Sequence, residues 1–166
     1  GVAHNPESNM KLASGIAPVQ QMLNAGIRVA LGTDGASSNN NLDMLQEMRS
    51  ASYLQKVHLM NPTAIPAYQA LQMATVNGAA ALGLDHETGQ LKPGYKADMI
   101  IMSFKQPHML PVYDPIANIV YAAQASDVET VIVDGNILMQ DRIIKAFDEE
   151  EVLTKARETA QRLVGR

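Results

Sequence analysis

A short apolar run, Ile27–Leu31, leads directly into the polar turn Gly32-Thr33-Asp34-Gly35. An apolar run of this length that ends in turn residues predicts a buried β-strand. The strand would place the carboxylate of Asp34 at its C-terminal end, where the catalytic groups of a parallel α/β barrel lie. A carboxylate there can bind a metal or transfer a proton. The alternative is a structural turn in which Asp34 bonds only to nearby backbone.

The residues before this run predict a strand–helix–strand unit. The chain opens on a candidate strand, 1–4, and a helix is predicted to follow from the helical spacing of Val19, Met22 and Leu23. Gly26 suits the position just after that helix. Two strands joined by a helix predict a parallel pair with a right-handed crossover. The segment His4–Asn9 predicts a polar loop, because proline disfavours helical geometry in the residue before it.

A long helix is predicted from about Leu42 to about Leu59, with N-cap candidates in the polar run 37–41. Its apolar stripe, which we expect to be core, comprises Met44, Met48, Ala51 and Leu54. Three charged residues fall off that stripe and are expected to be solvated, namely Glu47, Arg49 and Lys56. Two shorter helices are predicted over 66–74 and 75–83.

The pattern changes near Leu84 from helical periodicity to short β-runs with Gly and Pro turns. Strands are predicted over 98–102, 128–133 and 136–139, the last two joined by the hairpin turn Asp134-Gly135. A final helix is predicted to begin at Asp148, with Glu151 at the capping-box spacing. Its expected buried stripe comprises Val152, Ala156, Ala160 and Leu163. We therefore divide the chain into segments 1–83, 84–147 and 148–166.

Composition narrows the function classes. The 166 residues carry a net charge of -4 with acidic and basic positions interspersed, which argues against nucleic acid or an anionic membrane as a partner. No apolar run approaches the roughly 18 residues of a membrane span. The absence of Cys excludes disulfides and thiolate metal sites and is compatible with a cytoplasmic location. A complete eight-stranded barrel needs about 250 residues, so the chain is too short to hold one.

Three motifs, in this order and spacing, carry a family resemblance: Val2–Leu12, Gly32–Gly35 and Ser38–Met44. They resemble the last barrel segments of the amidohydrolase superfamily, and more narrowly the 5-methylthioadenosine/S-adenosylhomocysteine deaminases, in the branch shared with the triazine chlorohydrolases. The stretches Gly89–Asp98 and Ser126–Gly135 fit the same family. The resemblance implies an α/β fold made of the last βα units of a TIM-type metal-dependent hydrolase barrel, part of a small β-sandwich and a C-terminal helix.

The resemblance also implies a chemistry, the zinc-dependent hydrolytic deamination of an adenine nucleoside. In that family an aspartate on the eighth strand is a metal ligand and proton shuttle, and Asp34 matches it. The other ligands are histidines, including a His-x-His pair. The four histidines of this chain, His4, His58, His86 and His108, form no such pair. We therefore expect the chain to be the C-terminal portion of a deaminase, inactive and without bound zinc when isolated.

The polar segment after the first strand is the second candidate site. The resemblance implies that His4, Asn5, Ser8 and Asn9 lie on the rim of the substrate pocket. The alternative is a loop in which Asn5, Ser8 and Asn9 bond to local backbone.

Two other functions stay open. One is a triazine-type amino- or chlorohydrolase of the same fold. The other is a non-catalytic chain that associates with itself or with the missing N-terminal part, because unpaired barrel strands expose edges and apolar surface.

Overall fold

The N-terminal part of the chain forms the predicted strand–helix–strand unit. In the computed structural model, which describes residues 1–165, strands β1 (Val2–His4) and β2 (Val29–Leu31) pair in parallel. All three residues of β2 are buried. The connection contains two helices, α1 (Pro6–Lys11) and α2 (Val19–Asn24). It turns into β2 through Gly26, whose φ of 76° is left-handed and costs glycine little.

The presence of α1 corrects the predicted loop His4–Asn9. Asn5 is indeed non-helical, with φ -119° and ψ 78°. The helix nevertheless begins directly after it, because Pro6 occupies the first turn, where a backbone N–H has no intrahelical partner. The polar side chains of this segment are therefore displayed from a short helix.

Helix α3 (Met44–His58) confirms the predicted long helix. Its N-cap is Asp43 and not a residue of the run 37–41, since Asp43 Oδ1 accepts from the N–H groups of Leu45 at 2.8 Å and Gln46 at 3.3 Å. Met48 and Ala51 of the predicted stripe are buried, and Met44 and Leu54 are half-buried.

The prediction that the charged residues off the stripe are solvated is wrong. Glu47 has no exposed surface. Arg49 Nη2 donates to the carbonyl of Ala123 at 2.6 Å, and Lys56 Nζ donates to the carbonyl of Ala64 at 2.5 Å. These contacts arise because α3 packs against α1, β2 and two later helices at once, so that a single stripe does not describe its buried surface.

The later helices are α4 (Ala67–Ala74), α5 (Val76–Ala81) and α6 (Pro115–Tyr121). Two 3₁₀ turns, Pro107–Met109 and Ala125–Asp127, flank α6. One apolar core joins α4, α6 and the turn Pro107–Met109 to α2, β2 and α3. Its buried members are Val19, Val29, Leu31, Leu45, Met48, Ala51, Ile65, Ala70, Met73, Met109, Val120 and Ala123.

The remaining strands form an antiparallel sheet in chain order: β3 (Met99–Met102), β4 (Val128–Val133), β5 (Asn136–Gln140) and β6 (Ile143–Ile144). The predicted hairpin is confirmed, with φ of 49° at Asp134 and 77° at Gly135 in a two-residue turn. No helix within residues 1–165 has both the length and the apolar character needed to cross a membrane.

Helix α7 (Glu149–Val164) begins as predicted, because Asp148 Oδ1 accepts from the N–H of Glu151 at 3.1 Å. Its predicted buried stripe is wrong. No residue of α7 is buried, and Leu163 is 77% exposed. The helix is supported by local interactions, namely its cap, an acidic first turn and a Lys155–Glu151 ion pair, and not by packing.

Candidate active site

The carboxyl ends of β1 and β2 lie side by side. The N–H of Gly32 donates to the carbonyl of His4 at 3.0 Å and continues the parallel ladder beyond the strands. A Cβ atom on Gly32 would lie 2.6 Å from Asn5 Oδ1. A side chain at position 32 would therefore force the Asn5 side chain to shift from its place beside the end of β2.

Asp34 lies two residues beyond this contact, on the surface. Its φ of 60° is left-handed, a conformation that aspartate tolerates better than most residues. Two hydroxyls donate to the same carboxylate oxygen, Oδ2: Ser8 Oγ from α1 at 2.8 Å and Ser38 Oγ from the following loop at 2.6 Å. The carboxylate thus links α1 to the loop after β2, since Ser8 and Asp34 are 26 residues apart in sequence.

These hydrogen bonds set the charge of Asp34. The hydroxyls of Ser38 and Ser8, together with a backbone contact from Gly35, hold the pKa of Asp34 below its ordinary value. The side chain is therefore an ionised acceptor at neutral pH. That is the state a carboxylate needs to bind a cation or to receive a proton.

The predicted rim residues differ in their placement. Ser8 contacts Asp34, so its hydroxyl does not serve the local backbone as the alternative required. Asn5 contacts Gly32 as described above. Asn9 is half-buried on α1, and no hydrogen bond within residues 1–165 joins it to Asp34.

His4 is 3% exposed, and its Nε2 has no hydrogen-bond partner within residues 1–165. Burial lowers the pKa of His4, so the imidazole is neutral at physiological pH. It lies at the end of β1, buried beneath the segment that carries the other rim candidates.

The sequence did not predict three residues of this region as site residues: Ser38, Asn39 and Glu47. Ser38 lies within the motif Ser38–Met44, so its position was already marked. Asn39 is buried, although amides in a polar run are usually exposed. Glu47 carried no signal, because helical periodicity placed it on the solvent side of α3.

Within residues 1–165, no group of three or more His, Cys, Asp or Glu side chains is arranged to hold a metal ion. The ionised carboxylate of Asp34 fits one coordination position. A zinc site needs about three or four protein ligands. Of the residues 1–165, Asp34 could therefore occupy one position of a zinc site, and further ligands would have to come from elsewhere.

The apolar cavities of the chain lie away from Asp34. Cavities of about 650 and 850 Å³ lie between the sheet and the helices, with lining residues from α3, α4, α5, β3 and β4. Asp34 lines neither of them. The carboxylate of Asp34 is exposed at the surface of the described residues.

Comparison with known proteins identifies the family of the chain. The profile of the amidohydrolase family matches residues 1–138. The chain belongs to this family. It is 71% identical over all 166 residues to a 5-methylthioadenosine/S-adenosylhomocysteine deaminase of Syntrophomonas wolfei, and it spans 38% of the length of that relative.

Solved amidohydrolase structures share the fold. An adenosine deaminase from Xanthomonas campestris with bound zinc matches 99% of the chain with a TM-score of 0.97 and 34% identity, and the match covers 38% of that structure. An atrazine chlorohydrolase from Arthrobacter aurescens in complex with zinc matches 95% of the chain with a TM-score of 0.88 and 26% identity, over 35% of its own length. The family assignment and the α/β fold thus agree with the resemblance seen in the sequence.

Proposed function

We propose that this chain forms the C-terminal part of a zinc-dependent deaminase. The complete enzyme would hydrolyse the exocyclic amino group of 5-methylthioadenosine or S-adenosylhomocysteine to give the inosine derivative. One observation carries the proposal: an ionised carboxylate stands just beyond a buried parallel strand, in a chain 71% identical to a deaminase of that name. Zinc in two related structures supports the metal.

Asp34 is the group that this chain contributes to the reaction. Bound zinc supplies the activation of water, whose pKa it lowers towards neutrality. The hydroxyls of Ser8 and Ser38 keep Asp34 ionised and fix the direction of its Oδ2 lone pairs. The carboxylate is then able to serve as a metal ligand and as the acceptor that takes a proton from water and returns it to the leaving amine.

The other predicted site residues form the surroundings of Asp34 in this proposal. Of the four predicted rim residues, Asn5 and Asn9 would line the pocket rim, while the buried His4 and Ser8 would lie behind it, with Ser8 in contact with Asp34. The fold would comprise the last βα units of the barrel in 1–83, part of a small β-sandwich in 84–147 and a C-terminal helix in 148–166. Met109 and Val120 belong to the same apolar core as residues of α2, β2, α3 and α4, so α6 and the 3₁₀ turn before it pack against segment 1–83.

The partners follow from the incomplete site. The substrate would be a small purine nucleoside. The missing ligands would come from the rest of a longer chain, and the chain would associate with that remainder or with another copy of itself. A cytoplasmic location suits an enzyme without cysteine.

The test is reconstitution. The 166-residue chain is combined with the remainder of the Syntrophomonas wolfei relative, and deamination of 5-methylthioadenosine and S-adenosylhomocysteine is followed by the absorbance change of the purine in the presence of zinc. We expect turnover by the combined protein and none by the chain alone. Asp34→Asn should lower kcat by at least about 100-fold, the upper range for groups that merely orient metal ligands.

The control is Asp85→Asn, which neutralises an exposed carboxylate paired with Arg28 at 3.6 Å and should change kcat less than about twofold. Full activity of Asp34→Asn would contradict the assigned role of Asp34. Turnover of atrazine in place of both nucleosides would favour the chlorohydrolase alternative, and turnover of none of them would contradict the proposed function.

A further inference from the structure

Glu47 is a fully buried carboxylate on α3 whose two oxygens bind two different segments. Oε1 accepts from the side-chain amide of Asn39 at 2.5 Å. Oε2 accepts from the backbone N–H of Glu7 on α1 at 3.3 Å. Asn39 lies 8 residues and Glu7 40 residues before Glu47, so the carboxylate is a junction that connects α3 to the loop before it and to α1.

The first arm of the junction leads to the segment 33–41, which carries Asp34 and Ser38. Asn39 is 4% exposed, and its Nδ2 also donates to the carbonyl of Thr33 at 3.0 Å. Its Oδ1 accepts from the N–H of Asn41 at 3.2 Å. One buried amide therefore holds both ends of the segment, and Glu47 holds the amide.

The second arm leads to the residue before Ser8. Besides the bond from its N–H to Glu47, Glu7 accepts at Oε1 from Ser50 Oγ of α3 at 2.6 Å. The start of α1 is thus anchored to α3 at two points. Ser8, the next residue, donates to Asp34 from this anchored turn.

We propose that Glu47 is a positioning residue for the Asp34 site, holding through Asn39 and Glu7 the two segments that supply the Asp34 carboxylate and its two hydroxyl donors. The importance of this geometry for catalysis rests on the proposed function. The two hydrogen bonds by which Glu47 holds these segments are a property of this chain whatever its function. Glu47 does not touch Asp34, so its effect passes through the segments.

The energetics favour this role over simple space filling. A buried carboxylate loses its hydration, a cost that an apolar side chain of similar size would avoid. Burial, with the nearby Glu7 and Asp43 carboxylates, raises the pKa of Glu47 to about 7, which shows that desolvation outweighs the two hydrogen bonds. What the carboxylate provides is two directed acceptors at one point, which fixes the position of both segments relative to α3.

Hydrogen exchange of the 166-residue chain tests the proposal without any substrate. The reporters are the amides of Ser38 and Asn39, which both donate to the carbonyl of Gly35, and the reference is the amide of Ile132 in β4. In Glu47→Gln, one of the two acceptors becomes a donor. We expect the reporters to exchange about tenfold faster relative to Ile132 in Glu47→Gln and in Asn39→Ala.

The matched control is Ser52→Ala. Ser52 is fully buried on the same helix and donates to the carbonyl of Ile65 at 2.7 Å, outside the junction. It should leave the ratio of reporter to reference exchange unchanged. A ratio within twofold of the parent in Asn39→Ala would overturn the proposal. Asn39→Ala keeps the proposal testable if Glu47→Gln fails to fold, because it changes a loop residue and leaves the buried side chains of α3 in place.

Kinetics of the reconstituted enzyme supply a second readout. Glu47→Gln and Asn39→Ala should each lower kcat about tenfold with KM within twofold, and the double variant should be no slower than the slower single variant, because the two residues act in series. Additive losses would contradict that order. If the parent enzyme shows no deamination, the proposed function fails, whereas the exchange experiment still decides the role of Glu47.

Discussion

Two carboxylates of this chain lie in opposite environments. Asp34 is exposed, and hydrogen bonds from Ser38 and Ser8 lower its pKa. Glu47 is enclosed, and burial raises its pKa from 4.5 to about 7. The first therefore remains charged across the physiological range, while the second changes charge within it. Because of this difference, we propose the role of metal ligand and proton acceptor for Asp34 and the positioning role for Glu47.

The titration of Glu47 predicts a pH-dependent stability. Because its folded pKa is above its unfolded value, its contribution to stability is fully present below the unfolded pKa and is lost as pH rises through the folded pKa. Between pH 5 and pH 8 this amounts to about 2.5 kcal/mol. Glu47→Gln removes the titrating group but leaves Glu7 and Asp43, the acidic groups that face it.

Urea denaturation of the parent chain and of Glu47→Gln at both pH values measures this contribution. We expect the variant to gain stability relative to the parent as the pH rises. An equal difference between the two proteins at pH 5 and pH 8 would show that Glu47 does not titrate differently in the folded and unfolded chains.

At the scale of elements, α3 and α7 differ in what stabilises them. Both have an aspartate N-cap. Helix α3 is covered on several sides by α1, β2, α4 and α6, and even its charged residues find buried or half-buried partners. Helix α7 has an apolar stripe and no buried residue. An apolar stripe thus indicates a helix but does not show that the helix is packed.

This contrast predicts unequal costs for truncating apolar side chains. Leu163→Ala in α7, where the side chain is 77% exposed, should change the free energy of unfolding by no more than about 0.5 kcal/mol. Met73→Ala in α4, where the side chain has no exposed surface, should cost about 2–5 kcal/mol. Urea denaturation followed by circular dichroism measures both. A comparable loss in the two variants would mean that α7 is packed in solution.

At the scale of the whole molecule, the helical core is covered whereas the antiparallel sheet is not. Several of its apolar residues are about half exposed or more, namely Ile100, Ile101, Ile137 and Ile143. Ile100 and Ile101 are neighbours in β3 and point to opposite sides of the sheet, so apolar side chains are exposed on both sides. Exposed apolar surface of this kind is typical of a site that meets another protein surface. The chain spans 38% of the length of its relative from Syntrophomonas wolfei. Two partners could therefore cover the sheet, namely the rest of a longer chain and a second copy of this chain.

We therefore expect the isolated chain to self-associate. Sedimentation velocity should show a weight-average coefficient that rises with protein concentration. Ile101→Lys should reduce this rise, because it places a charge on a position that is 51% exposed in the sheet. Gln140→Lys, at an exposed polar position of the same sheet, is the charge-matched control. A concentration-independent monomer would contradict the expectation.

The features that the sequence determined by itself depend on neighbours along the chain. The turn at Asp134-Gly135 follows from residues that tolerate positive φ, and the start of α7 follows from Asp148 and the residue three positions later. The placement of Asp34 just beyond a buried strand follows from an apolar run that ends in a turn. The family motifs around Asp34 likewise needed only their own order and spacing.

The tertiary structure decided which of these surfaces meet. The partners of Glu47 lie 8 and 40 residues away, and Ser8 reaches Asp34 across 26 residues. Helical periodicity reports only the face that a helix would bury against a single neighbour. It therefore placed Glu47 in solvent and the stripe of α7 in a core. Burial depends on segments distant in sequence, and only their packing distinguishes a buried junction from an exposed charge.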